Sequence, residues 1–227
     1  MQIGEVYAEG RRRVTDLVGG LTGEEAATRV PTCPEWSVAD VVAHLAGISA
    51  DILTGNIGGI GTDEWTEAQV AARRGRTVAE LVAEWSEQGP RVEELAVHFP
   101  ERVAAQWVMD LTSHEHDIRC ALRRPGARDS DGVAIGADFL LSQGLHTAIT
   151  AAGLPALEVR AGERSWHVGA GDPAGVLEAS AFDLLRSFSG RRSAAQIRAL
   201  AWPVDPEPYL PVLRFGPFTI SEVDIDE

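Results

Sequence analysis

Two segments of this 227-residue chain each carry a histidine in a setting suited to metal ligation. The first, CPEWSVADVVAHLAG over 33–47, holds His44; the second, WVMDLTSHEHD over 107–117, holds Asp110, His114 and Asp117. Asp110 and His114 stand four apart, so on a helix their side chains lie one above the other on the same face. That spacing lets one helix offer an oxygen and a nitrogen to a divalent cation. A third donor from another helix would complete the protein's share of a tetrahedral site and leave one position open for chemistry. His44 is the candidate for that donor.

Helical phase sorts the second segment. At about 100° per residue, Val103, Gln106, Trp107, Asp110, His114, Asp117, Ile118 and Ala121 share one face. Thr112, His116, Arg119 and Arg123 fall opposite, so His116 is expected to point to solvent. Asp110, His114 and Asp117 then form a polar stripe inside an apolar face, where carboxylates are costly unless paired or metal-bound. His44 lies at the flank of a stripe made by Val38, Val41, Leu45 and Ile48. From spacing alone two readings stand: a metal site, or a metal-free His–Asp hydrogen bond beside an ordinary core histidine.

The elements that must position these residues are legible. Helices are expected over 2–19, 38–54, 77–97 and 102–123. The second has a complete start signal, with Ser37 at the N-cap, Asp40 three residues on, and Trp36 and Val41 spaced as a hydrophobic staple. Thr77 and Glu80 repeat the pattern for the third helix, and Arg124-Pro125-Gly126 stops the fourth. The glycine-rich 55–62 stretch and the 63–76 segment make a long connection, a candidate lid. Four such helices imply a bundle whose core can hold a metal. Beyond 124–132 the texture changes. A helix near 133–152, strands at 156–160 and 165–168 joined as a hairpin, and helices at 176–188 and 193–200 imply a small α+β domain. The expected division is 1–126 and 130–227.

Composition narrows the partners. A hydrophobic content of 44% with 24% charged residues suits a globular protein, and the net charge of −14 disfavours nucleic acid and anionic membrane surfaces. No apolar run is long enough for a membrane span and no secretory leader is visible, so the expected location is cytoplasmic. All 20 basic residues are arginine, which excludes Schiff-base and P-loop lysine chemistry and, with abundant Ala, Gly and Val, suggests a GC-rich bacterial genome. Cys33 and Cys120 form neither a CxxC motif nor a disulfide framework and read as reduced thiols. Gly190-Arg191-Arg192 reads as a solvated helix-end cluster, with an anion site as the alternative.

The run WSVADVVAHLAG, preceded by VPTCP, resembles the N-terminal domain of mycothiol-dependent maleylpyruvate isomerases, within the wider DinB-like four-helix metalloenzyme group. DLTSHEHDIRCAL over 110–122 matches the second half of that signature, and AFDLLRSFSGRR over 181–192 resembles the family's small C-terminal domain. The resemblance implies an α+β protein, an N-terminal DinB-like four-helix bundle followed by a small α+β C-terminal domain. By position it makes His44, Asp110 and His114 the metal ligands, with Asp117 a candidate second-layer acceptor for the free N–H of a ligating histidine. The isomerase pattern has glutamate where this chain has Asp110, so the shorter arm must move the metal or the helix. The implied cofactors are a divalent metal, Zn²⁺ by donor type, and mycothiol, the low-molecular-weight thiol of actinobacteria. The implied partners are that small-molecule thiol and an electrophilic substrate, joined by S-transfer or isomerised through a reversible adduct. A metal-dependent hydrolase and a non-catalytic ligand-binding scaffold are the alternatives.

Overall fold

The computed structural model describes residues 2–213 and 219–227. Its contacts divide the chain into two compact units, Met1–Gly126 with Glu227, and Ala127–Asp226.

The first unit runs α1 (Ile3–Val18), α2 (Gly23–Ala26), β1 (Arg29–Val30), β2 (Cys33–Ser37), α3 (Val38–Thr54), α4 (Asp63–Ala71), α5 (Val78–Leu95) and α6 (Glu101–Leu122). The four long helices α1, α3, α5 and α6 form the bundle: α3 packs on α5 and α6, and α1 packs on the same two. Their inward stripes are apolar and buried, including Val14, Val41, Leu45, Leu81, Trp85, Leu111 and Ile118. The start of α3 is built as the sequence requires. The Ser37 hydroxyl accepts from the Asp40 amide at 3.2 Å, and Asp40 Oδ2 accepts from the Ser37 amide at 2.8 Å. Gly55, at φ +75°, ends the helix in the left-handed conformation that glycine adopts without strain. α5 opens on the reciprocal bonds of Thr77 and Glu80.

The expected long connection is not simply a loop. Thr62 caps α4, which lies within it and packs against α3. The approach is close because Gly47 presents no side chain: a Cβ there would sit 2.6 Å from Gln69 Cβ. Arg73, just beyond α4, is tied to Glu84 of α5 by bonds of 2.6 and 3.1 Å. It also donates to the Gln69 carbonyl at 3.1 Å, so the end of α4 is clamped.

The second unit begins with α7 (Asp131–Phe139), a π-helical turn (Leu140–Leu145) and α8 (His146–Ala151), which together occupy the span expected as one helix. β3 (Ala156–Ala161) and β4 (Arg164–Val168) form the expected antiparallel hairpin. β5 (Pro173–Glu178) corrects the expectation of a helix from 176. It pairs parallel to β3, with Val176 opposite Glu158 and Leu177 opposite Val159. Gly175 explains part of the difference: Pro203 approaches so closely that a Cβ would lie 2.4 Å from it. The helix α9 (Ala181–Phe188) starts only after its own cap, Ser180, and α10 (Ala194–Arg198) follows.

Arg191 and Arg192 are buried, at 2% and 8% exposure, which corrects their reading as a solvated cluster. Arg191 Nη1 donates to the Ser189 carbonyl at 2.6 Å, and Arg192 stacks its guanidinium 5.7 Å from the Phe182 ring centre. The Ser221 amide of the C-terminal segment donates to the Arg192 carbonyl at 2.9 Å. The protein is thus α+β, a helical N-terminal unit followed by a smaller one with a three-stranded sheet. No helix among the described residues is long and apolar enough to cross a membrane.

Candidate metal centre

α3 and α6 bring three of the singled-out residues together. One ligand atom each from His44, Asp110 and His114 lies within 4.8 Å of the other two. His44 Nε2 is 3.6 Å from Asp110 Oδ2, and His114 Nε2 is 3.7 Å from Asp110 Oδ1. The two imidazoles meet edge to face with centres 5.1 Å apart. The Nε2 atoms of both rings therefore face one carboxylate.

The opposite ring nitrogens are held by the protein. His44 Nδ1 is 2.7 Å from Gln69 Oε1, while Gln69 Nε2 donates to Asp51 Oδ2 at 2.6 Å. A carboxylate accepts only, so the Asp51 bond fixes which end of the amide faces it. Gln69 then offers oxygen to His44, and the His44 proton must sit on Nδ1. His114 Nδ1 lies 3.1 Å from Asp117 Oδ2. This contact lacks hydrogen-bond geometry, so it places a carboxylate beside His114 without fixing its tautomer. The His44 Nε2 lone pair is directed at the Asp110 side, the arrangement by which an outer-layer acceptor fixes a ligating histidine.

Burial gives the cluster a direction. The His44 and His114 side chains are 3% and 6% exposed, while that of Asp110 is 27% exposed. Solvent therefore reaches the trio at the carboxylate. Trp36 lies against both rings, its centre 5.2 Å from that of His44 and 6.0 Å from that of His114, and its Nε1 donates to Glu67 of α4 at 3.2 Å. On the bundle side, Tyr7 stacks on Trp107 with centres 3.5 Å apart. Burial first, and the Asp110 carboxylate second, push the Tyr7 phenol well above its ordinary range, so it stays a neutral O–H.

Phase analysis placed Asp110, His114 and Asp117 on one inward face and His44 at the flank of another, and the structure brings His44 to Asp110 and His114, with Asp117 beside His114. It misplaced His116, which is 2% exposed rather than solvated. α6 contacts α1, α3 and β1, so more than one side of it is covered; Thr112, on the supposed outer face, is buried too. The neighbouring Glu115 is completely buried and is neutralised by Arg13 at 2.8 Å and Arg119 at 2.9 Å. Sequence reasoning missed Gln69 and Cys33. Gln69 lies in the connection read as a lid, where only the cap signal of Thr62 marked a helix. Cys33 Sγ joins His114 and Asp117 in a second group whose ligand atoms lie within 4.8 Å of one another.

A four-helix bundle whose inner surface gathers two imidazoles and a carboxylate is a helical scaffold with a candidate cation site. The family model of the mycothiol maleylpyruvate isomerase N-terminal domain matches residues 7–125, and the chain belongs to that family. Comparison with curated proteins and with solved structures gave no match.

Proposed function

We propose that the protein is a divalent-metal enzyme that activates mycothiol, or a thiol of that class, for attack on an electrophilic small molecule. The observation that carries the reading is that the Nε2 atoms of His44 and His114 both face Asp110, with Gln69 holding the outer nitrogen of His44 and Asp117 standing beside that of His114. Two imidazoles and a carboxylate are the donor set of a catalytic zinc site with one exchangeable position. When bound, the cation supplies a Lewis acid that lowers the pKa of a thiol to give a nucleophile near neutral pH. The chain's residues supply orientation and access. Trp36 shields the faces of the two imidazoles, the partly exposed Asp110 marks the approach for small molecules, and Tyr7 remains a neutral hydroxyl.

Aspartate in place of the family's glutamate fits this arrangement, because both imidazoles already stand within 4 Å of its oxygens. The test is metal analysis of protein purified without chelator, comparing wild type with His44→Ala and His114→Ala, followed by turnover with and without mycothiol. The expected result is stoichiometric zinc lost in both variants and thiol-dependent turnover in wild type alone. Unchanged metal content in both variants overturns the proposal, and turnover independent of added thiol selects a metal-dependent hydrolase instead.

A further inference from the structure

His114 has two ring nitrogens, and the structure surrounds each with a different set of donors. Nε2 faces His44 and Asp110. Nδ1 lies 3.1 Å from Asp117 Oδ2, and one ligand atom from each of Cys33, His114 and Asp117 lies within 4.8 Å of the other two. Cys33 opens β2 and is half-buried, whereas Asp117 is fully buried. The cluster therefore has a buried base and one ligand that solvent can reach.

We propose that Cys33 Sγ, His114 Nδ1 and the Asp117 carboxylate form a second cation site, selective for a thiophilic divalent ion, that shares His114 with the site on the Nε2 side. A thiolate, an imidazole nitrogen and a carboxylate are borderline-soft donors that suit zinc and cadmium and disfavour magnesium and calcium. Around a tetrahedral ion with bonds of about 2.0–2.3 Å, such donors stand roughly 3.3–3.6 Å apart. Asp117 Oδ2 and His114 Nδ1, at 3.1 Å, are near that separation already. Cys33, at the start of a short strand, needs to close by about 1.5 Å at most to reach it. Their positions on α6, three residues apart, place His114 and Asp117 on one helical face, so only one donor comes from another element. Binding releases the Cys33 thiol proton and takes the His114 tautomer with its proton on Nε2, so the ion sits between Nδ1 and the carboxylate and the two sites compete for His114.

The test uses Cd²⁺ added to the full-length, metal-free protein, read by the ultraviolet charge-transfer band of a cadmium–thiolate bond. The band is expected in wild type, in Cys120→Ser and in His44→Ala, and is lost in Cys33→Ser and Cys33→Ala. Asp117→Asn should raise the half-saturating Cd²⁺ concentration at least tenfold. Helical circular dichroism of each variant shows that it is folded. A folded wild type without the band, a band that survives in the Cys33 variants, or a smaller shift in Asp117→Asn overturns the proposal. Zinc content separates its failure from that of the functional reading: if Cys33→Ser alone loses all its zinc while the cadmium band depends on Cys33, the second site stands and the first falls.

Discussion

Gln69→Leu is the sharpest test of how the centre is positioned. The substitution keeps a side chain of similar bulk on α4 and removes two bonds, the 2.7 Å contact with His44 Nδ1 and the 2.6 Å bond to Asp51. Their costs differ. Asp51 is half-buried, keeps a 2.8 Å bond from Asn56, and can take water in place of the lost donor. His44 is 2% exposed and has no such recourse. A buried N–H left without an acceptor costs about 1–3 kcal/mol. Leucine at a position only 3% exposed returns apolar burial of comparable size, about 1.5–3 kcal/mol. Stability of the metal-free protein should therefore change by no more than about 2 kcal/mol in either direction, the residue of two opposing terms. Metal affinity has no such compensation, because the ring loses the acceptor that directs its Nε2 lone pair. Removing an outer-layer partner typically weakens metal binding about 10–100-fold. The assay is zinc competition against a chromophoric chelator, with urea melts of the metal-free forms run beside it. Zinc affinity within twofold of wild type in Gln69→Leu, alongside abolished binding in His44→Ala, would refute the positioning argument and leave Gln69 a packing residue.

Three further outcomes are expected. Gly47→Ala sets a helix-propensity gain of up to about 1 kcal/mol against overpacking of about 1–3 kcal/mol, because the new methyl meets the stem of Gln69. Thermal melts should show a lower Tm, with zinc affinity reduced as α4 is pushed from α3. Glu84 is partly desolvated, which raises its pKa, but Arg73 and Arg76 outweigh burial and hold the carboxyl below its usual range. A depressed folded pKa means that Glu84 stabilises the fold above the ordinary carboxylate pKa and loses that contribution as pH falls through the folded value. Glu84→Gln should therefore cost most near neutrality, and the gap between variant and wild-type stability should narrow on acidification, as urea midpoints from pH 7 downwards would show. Thr77→Ala removes the hydroxyl that accepts from the Glu80 amide at 3.3 Å and should cost about 1 kcal/mol in equilibrium unfolding, with the Glu80 pKa rising towards its ordinary value.

What could be read from sequence divides by range. The start of α3 was legible residue by residue, since Ser37 and Asp40 act on backbone atoms three positions away. The His44, Asp110 and His114 grouping was legible because helical phase fixes directions, and the family resemblance supplied the third partner. Phase does not say what covers a face, which is why His116 was assigned to solvent and is in fact buried. The error at Arg191 and Arg192 has the same origin. Their burial depends on a segment about 30 residues further on, through the pairing of Ser193 with Ser221. Gln69 was hidden for another reason. α4 has little amphipathic pattern of its own and is placed by Gly47 and by the Arg73–Glu84 pair, features that carry meaning only once α3 and α5 are adjacent. The strand β5 escaped notice because a short apolar run reads equally as strand or helix until its partner is known.

The division of labour around His44 and His114 bears on why a stable bundle would carry such a cluster. Two imidazoles and two carboxylates within one side of a helical core are a liability, since each buried polar atom without a partner costs about 1–3 kcal/mol. The fold compensates part of that liability with its own atoms: Gln69, anchored by Asp51, serves the His44 ring, while Asp117 stands 3.1 Å from His114 Nδ1. The two Nε2 atoms and the Asp110 carboxylate converge on one point. A divalent cation bound there would meet all three groups at once. A ligand that binds only this folded arrangement adds about 2.7 kcal/mol of stability at a hundred times its Kd. On that argument the same geometry that prepares the centre for chemistry also couples metal binding to the stability of the bundle. Loss of the cation should therefore be felt through α3, α4 and α6 together rather than at the three side chains alone.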